Sequence, residues 1–133
     1  YHANSWGLSA GDCPHGYGVY GSSPCKSEPL HDGTISIYAA LGCLPFIPEE
    51  TLALTDYLYH QHPRTWGNFG FSDAYNLDVN PAWYSTSLYG IDKGCSMIMI
   101  DNYLSGMVWK TYTDSDLIQK SLAILQFTKK SGV

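Results

Sequence analysis

Apolar residues recur at near-helical spacing in four segments of this chain, and two long stretches between them follow no sustained period. The apolar spacing predicts four helices, at about 34–44, 48–62, 92–112 and 114–128. Residues 1–33 and 65–91 are rich in Gly, Pro, Ser and Asp and are predicted to be loops. Strand signals are weak and scattered, so the pattern predicts an all-α fold.

The predicted helix ends rest on residues with known positional preferences. Pro48 suits the first helical turn, where Glu49 and Glu50 also face the positive end of the helix dipole. Pro63 predicts that this second helix ends just before it. The third predicted helix is apolar on nearly all sides in its first half, which is typical of a helix buried inside a larger assembly.

Length and charge narrow the class of protein. The 133 residues correspond to one domain, with 44% hydrophobic and 14% charged residues, as in a folded protein. A formal net charge of −5 disfavours binding to nucleic acid, which needs positive charge against phosphates. No apolar run is long enough to span a membrane, and no signal peptide is recognisable.

The cysteines and histidines do not form a metal-binding motif. Cys13 and Cys25 flank a Gly- and Ser-rich loop, which a disulfide between them could close if the protein is exported. Cys43 and Cys95 lie in apolar helical patterns and are predicted to be buried thiols. The histidines are scattered along the chain, so neither a metal ion nor another cofactor is expected.

The segment from Trp66 to Trp109 combines aromatic residues with carboxylates and amides. Aromatic rings stack on the C–H faces of sugars, and polar groups bond to the hydroxyls, so this combination favours carbohydrate binding. The alternative is a core rich in Tyr and Trp with ordinary loop polar residues. The predicted sugar contacts of this segment are Trp66, Asp73, Tyr75, Asn76, Trp83, Tyr84, Asp92 and Asp101.

The order of several motifs resembles the C-terminal part of the glycoamylase-like domain of bacterial cyclic β-1,2-glucan synthases and endo-β-1,2-glucanases. The matching motifs are Asn4-Ser-Trp-Gly-Leu-Ser-Ala10 with Asp12, Asp32-Gly-Thr-Ile-Ser36, Ala39-Ala-Leu-Gly42, Leu44-Pro-Phe46 and the series from Trp66 to Trp109. The resemblance covers most of residues 4–110. It implies a partial (α/α)6 toroid, in which long loops line a groove and residues 1–133 form the C-terminal part of one domain.

The resemblance also implies a function. The chain is expected to be a fragment of a glycoside hydrolase that acts on β-glucan, with β-1,2 linkages favoured, in a bacterial periplasm or secreted. The remaining N-terminal part of the toroid, or a second chain, is the expected protein partner, and an oligosaccharide or glucan is the expected ligand. Asp12, His15 and Tyr17 would belong to the wall of the sugar-binding groove.

Each of the candidate acids could have a structural role instead of a role in sugar binding, and no catalytic residue is assigned. Asp92 opens a predicted helix and could be its N-cap, and Asp73 could cap a turn instead of contacting sugar. Asp101 and Leu104 depart from the Glu and Arg that the family usually has there, which puts the role of Asp101 in doubt. Asp92 and Asp101 are separated by about 13 Å of helical rise, too far for a direct pair.

Two other functions remain open at this point. One is a glycan-binding module without catalysis, and the other is a structural half-toroid that pairs with another chain. Because the family's acid catalyst is expected in the part that this chain lacks, the isolated chain is predicted to be inactive.

Overall fold

The computed structural model describes residues 4–21 and 31–128 of the 133-residue chain. The described strands are β1 (Ala10–Cys13), β2 (Gly16–Val19), β3 (Ile35–Ser36), β4 (Trp66–Gly67), β5 (Gly70–Phe71), β6 (Ala74–Asn76) and β7 (Trp83–Tyr84). The helices are α1 (Ile37–Leu41), α2 (Pro48–Gln61), α3 (Gly90–Leu104), α4 (Met107–Thr113) and α5 (Asp116–Ile124), with a 3-10 turn at Pro63–Thr65.

The predicted all-α fold class is wrong. Helices account for 46% of the described residues, and 18% are in strands of several small antiparallel sheets. The strands are only two to four residues long. An alternation of apolar and polar residues needs about four to eight positions to be recognised, so such strands leave too little pattern. Both predicted loops therefore contain strands, and β3 replaces the start of the first predicted helix.

Three small sheets bring distant parts of the chain together. Strands β1 and β2 form a hairpin that turns between Cys13 and Gly16, and the positive φ of Gly16, 109°, suits the turn. Strands β4 and β5 form a second hairpin. The third sheet has the order β3-β6-β7, so its central strand β6 joins the chain before α1 to the segment that leads into α3.

Helix α2 agrees with its prediction. It begins at Pro48, has Glu49 and Glu50 in its first turn and ends at Gln61. Its buried side chains are Thr51, Leu54 and Leu58. The predicted span is therefore confirmed to within a residue at its C-terminal end.

The hydrophobic core lies between α1, α2 and the β3-β6-β7 sheet. Its buried members are Ile35, Ile37, Ala40, Leu54, Leu58, Phe71 and Tyr75. The N-terminal segment packs close to this core at Gly7, where φ is 129° and a Cβ atom would come within 2.4 Å of the Ser36 carbonyl oxygen. Only glycine accommodates both the backbone conformation and the contact at this position.

Helices α3, α4 and α5 differ from α1 and α2 in which side chains they bury. The single predicted helix 92–112 is interrupted at Ser105 and Gly106, where Gly106 is left-handed with φ of 67°, so that prediction was wrong in its second half. Helix α3 buries three polar side chains and leaves large apolar ones exposed, among them Ile91, Met97 and Leu104. Helices α4 and α5 bury no residue at all.

Two further predictions concern cysteines and membrane spans. Cys43 is half-buried and Cys95 is exposed, so the prediction of buried thiols is wrong for Cys95. Cys25 lies outside the described residues, and its disulfide with Cys13 stays a prediction. Within residues 4–21 and 31–128, no helix has the length and apolar character needed to cross a membrane.

Candidate functional site

Three carboxylates from different parts of the chain meet beside the core. Asp12 lies on β1, Asp73 directly precedes β6, and Asp92 lies in the first turn of α3. Strand β6 pairs with β3 and β7, and β1 packs against β6, which brings Asp12 and Asp73 together, while Asp92 comes from α3, which packs against α1. We call Asp12, Asp73 and Asp92 the carboxylate cluster.

Asp73 is the most buried member, with 2% of its surface exposed. Its Oδ2 accepts a hydrogen bond from the Asp12 backbone N–H at 2.8 Å, and its Oδ1 is buried without a partner among the described residues. Burial, together with the nearby Asp92 and Asp12 charges, raises the pKa of Asp73 to about 6, against the opposing effect of the Asp12 N–H. Asp73 therefore does not face solvent, and its predicted direct contact with sugar stays a prediction.

Asp12 is the member of the cluster that is open to solvent. It is half-buried, and its Oδ2 accepts a hydrogen bond of 2.6 Å from the Ser85 hydroxyl. Tyr17 is its direct partner across the β1-β2 hairpin, so the two side chains lie on the same face. The exposed ring of Tyr17 makes an edge contact with Tyr89, with 5.8 Å between ring centroids. The Asp12 carboxylate therefore shares a face with Tyr17, whose ring in turn contacts Tyr89.

Asp92 is buried, but it is not the N-cap of its helix. Tyr89 occupies that position, and Asp92 lies in the first turn, where its negative charge suits the helix dipole. The neighbouring Lys93 donates a hydrogen bond to the Phe71 carbonyl oxygen. Burial lowers the pKa of Lys93, while the charges of Asp73 and Asp92 act in the opposite direction.

Tyr38 closes the cluster from the side of α1. Its hydroxyl group lies 2.7 Å from both the Ser9 hydroxyl and the Ala10 carbonyl oxygen. Burial raises the pKa of Tyr38, and the charges of Asp92 and Asp73 add to this effect. The hydroxyl therefore stays protonated and ties the N-terminal segment to the helix.

Tyr75 and Asn76, two predicted sugar contacts, are completely buried. The Tyr75 hydroxyl is hydrogen-bonded to Ser5 at 2.7 Å, and the ring stacks against Tyr84. The Asn76 side chain donates to the Asp32 carbonyl and to Thr34, both at 3.1 Å. Neither side chain presents surface to a ligand in the described part of the chain.

Trp66 lies at the start of the β4-β5 hairpin, and its side chain is exposed. Its ring packs edge-on against Phe71 at 4.7 Å and Tyr59 at 5.6 Å. It lines an apolar cavity of about 620 Å³ that also contacts Leu41, Met97 and Ile100. This side of the molecule has the character of an uncovered core.

The remaining predicted residues are dispersed. Tyr84 is half-buried and hydrogen-bonded to His62 at 2.9 Å, and Trp83 beside it is also half-buried. His15 is exposed in the hairpin turn. Asp101 lies near the far end of α3 and accepts a hydrogen bond from Ser105, which is consistent with its distance from Asp92.

The sequence analysis missed a small polar hollow next to Asp12. Ser85 forms part of its wall, and the Ser72 hydroxyl there is buried without a partner among the described residues. The hollow has a volume of about 220 Å³, and its other polar lining residues include Arg64, Asn68, Thr86 and Ser87. The Ser-Thr-Ser run at 85–87 was the available signal, but such runs are common in loops.

Residues 4–21 and 31–128 contain no group of three or more His, Cys, Asp or Glu side chains arranged to hold a metal ion. The hydrogen-bond partners seen in the carboxylate cluster are the Asp12 backbone N–H, on Asp73, and the Ser85 hydroxyl, on Asp12.

The chain belongs to the glycoamylase-like family, because residues 1–116 match the Glycoamylase family model, described as "Putative glucoamylase". It is 30% identical over 130 residues to an exo β-1,2-glucooligosaccharide sophorohydrolase (non-reducing end) of Parabacteroides distasonis. That match covers 97% of this chain and 17% of the relative.

Two solved structures are similar in fold. One is a "putative glucoamylase" of Bacteroides uniformis, with a TM-score of 0.80 and 36% identity. The other is the endo-β-1,2-glucanase of Chitinophaga pinensis in complex with sophorotriose and glucose, with a TM-score of 0.80 and 30% identity. Each match covers 92% of this chain but only 28% of the solved chain.

Proposed function

We propose that this chain forms one wall of the sugar-binding groove of a glycoside hydrolase domain that acts on β-1,2-linked glucan. The observation that carries the proposal is the half-exposed Asp12 carboxylate, held by Ser85 on the face where Tyr17 and Tyr89 meet. Two relatives that match nearly the whole chain act on β-1,2-linked glucose chains, as their names state.

The chemistry of this face suits a sugar. Tyrosine rings offer stacking surface to C–H groups, while the carboxylate and nearby hydroxyls accept and donate hydrogen bonds. Asp12 would bind a sugar hydroxyl or act as a base, and the polar hollow beside Ser85 would receive further hydroxyl groups. Trp66, Trp83 and Tyr84 remain candidates for more distant contacts.

The chain does not supply both carboxyl groups of a glycosidase by itself. Such enzymes commonly use two acids on opposite sides of the scissile bond. Within the described residues, the other two members of the carboxylate cluster are buried, and Asp73 is bonded to the backbone N–H of Asp12. We therefore propose that the second catalytic carboxyl group comes from the rest of the domain.

The apolar face of α3, α4 and α5 is proposed to pack against that remaining part, or against a second chain. The support is the exposure of large apolar side chains on all three helices and the limited share of each relative that this chain covers. Uncovered apolar patches of this extent are rare on soluble monomers. The periplasmic or secreted location stays a prediction.

Hydrolysis of purified β-1,2-glucan, followed as new reducing ends, tests the proposed function. We expect the 133-residue chain alone to be inactive and the natural protein that contains it to be active. Asp12→Ala should lower the rate of that protein by about a hundredfold or more if Asp12 acts as a base. Lys120→Ala, on the exposed surface of α5, is the matched control and should leave the rate unchanged.

Three results would contradict the proposal or redirect it. Hydrolysis by the isolated chain would show that the catalytic pair lies within it. Equal rates for the two variants would remove Asp12 from the site. Binding of glucan without any hydrolysis by the natural protein would favour the glycan-binding module.

A further inference from the structure

Asp73 and Asp92 form a buried pair within the carboxylate cluster. Their side chains are 2% and 7% exposed, and the interaction with Asp92 adds to the effect of burial in raising the pKa of Asp73. Two ionised carboxylates cannot donate a hydrogen bond to each other. Asp73 Oδ1 is buried and has no hydrogen-bond partner among the described residues.

The surroundings do not neutralise both charges. Asp73 is faced by Asp12 from β1, by Asp92 and Lys93 from α3 and by Tyr38 from α1. The Lys93 ammonium group donates to the Phe71 carbonyl oxygen. Tyr38 already contacts Ser9 and Ala10. A buried carboxyl group such as that of Asp73, with so little compensation, favours taking up a proton.

Resting on the proposed function, we propose that Asp73 and Asp92 share one proton in mildly acidic solution and that this pair positions Asp12 for the sugar. The shared proton gives Asp73 Oδ1 its missing partner. Asp73 Oδ2 then holds the Asp12 backbone N–H and so fixes β1. Asp73 is therefore a positioning residue, and Asp12 is the residue that touches the ligand.

The close packing at Gly11 supports this role. A Cβ atom at Gly11 would come within 2.7 Å of Asp73 Oδ2 and within 3.8 Å of the Ser36 hydroxyl. Strand β1 is therefore pressed directly against the carboxyl group of Asp73. A shift of that group would move Asp12 with it.

The proton makes stability depend on pH in a defined direction. The pKa of Asp73 in the folded protein is raised to about 6 from an ordinary value of 3.8. The folded state therefore binds the proton more tightly than the unfolded chain. The stability contributed by this proton is fully present below about pH 4 and is lost as the pH rises through about 6.

The test uses the natural protein that contains this chain and its Asp73→Asn variant. An asparagine keeps an oxygen for the Asp12 N–H and places an amide donor toward Asp92, as the protonated acid would. We expect the Tm of Asp73→Asn to rise relative to the parent between pH 4 and pH 7, by about 2 °C or more. Asp92→Asn is the second variant and should behave in the same way, because its amide donates to the ionised Asp73.

Hydrolysis of β-1,2-glucan separates positioning from direct contact. Asp73→Asn should retain a rate close to that of the parent, whereas Asp73→Ala, which cannot accept the Asp12 N–H, should lose about a hundredfold. If Asp73 instead contacted sugar directly through its charge, the asparagine variant would not restore the rate.

The two measurements fail in different ways. A Tm difference that does not change with pH in either asparagine variant would overturn the shared proton. A folded Asp73→Asn protein that is as inactive as Asp73→Ala would overturn the positioning role. A parent protein without activity would contradict the proposed function, while the Tm comparison would still decide whether the proton is shared.

Discussion

The segment from β3 to β6 and the segment from α3 to α5 have similar shares of apolar residues but use them in opposite ways. In the first segment, side chains such as Leu54, Leu58 and Tyr75 are completely buried. In the second, α3 buries Asp92, Ser96 and Asn102, while its apolar side chains are exposed. The first segment forms its own core, whereas the second presents apolar surface that other protein can cover.

The same comparison explains why the carboxylate cluster lies where it does. The buried side of α3 is polar, and from it Lys93 donates to the Phe71 carbonyl oxygen, while Asp92 adds to the effect of burial in raising the pKa of Asp73. A helix with an ordinary apolar inner side would leave no charged group at this junction. This arrangement agrees with the proposal that the other side of α3 is covered by the rest of the domain or by a second chain.

Substitutions at two leucines are expected to show the largest difference between the segments. Leu58→Ala should lower the free energy of unfolding of the 133-residue chain by about 2–5 kcal/mol, because it leaves a cavity in the core. Leu117→Ala on α5, where the side chain is exposed, is the matched control and should change it by less than about 0.5 kcal/mol. Urea denaturation measures both, and similar losses would mean that α5 is packed in the chain alone.

A smaller effect is expected on the apolar face of α3, and it should depend on what surrounds the helix. Leu104 is 76% exposed, so Leu104→Ser should hardly change the stability of the isolated chain. In the natural protein, where we propose that this face is covered, the same change should cost about 1.5–3 kcal/mol. Calorimetry on both proteins measures the difference, and equal effects in the two would show that the face stays uncovered.

The sequence analysis succeeded for structural elements that are determined by residues close together in the sequence. Helix α2 could be predicted because Pro48, the acidic first turn and Pro63 all lie within or beside it. The helix break at Gly106 also has a sequence signal, since Ser105-Gly106 follows the apolar run. The apolar spacing on both sides of it nevertheless led to the prediction of one continuous helix. Family membership was predicted correctly, because it rests on several motifs in order.

The strands and the carboxylate cluster could not be predicted in the same way. Each strand is too short for a period, and the fold class was wrong for this reason. Asp12 and Asp73 are 61 residues apart, and only the packing of β1 against β6 brings them together. Their contact depends on long-range pairing, which no local pattern records. Asp92 was selected as a candidate, but its contact with Asp73 was not foreseen.

Calorimetric titration of a β-1,2-linked glucooligosaccharide into the natural protein tests the central claim most directly. If Asp12 and the adjoining tyrosine rings line the groove, Asp12→Ala should weaken binding by about tenfold, equivalent to roughly 1.4 kcal/mol, and Lys120→Ala should leave it unchanged. Equal affinity of the parent and both variants would contradict the claim and place the sugar elsewhere on the molecule.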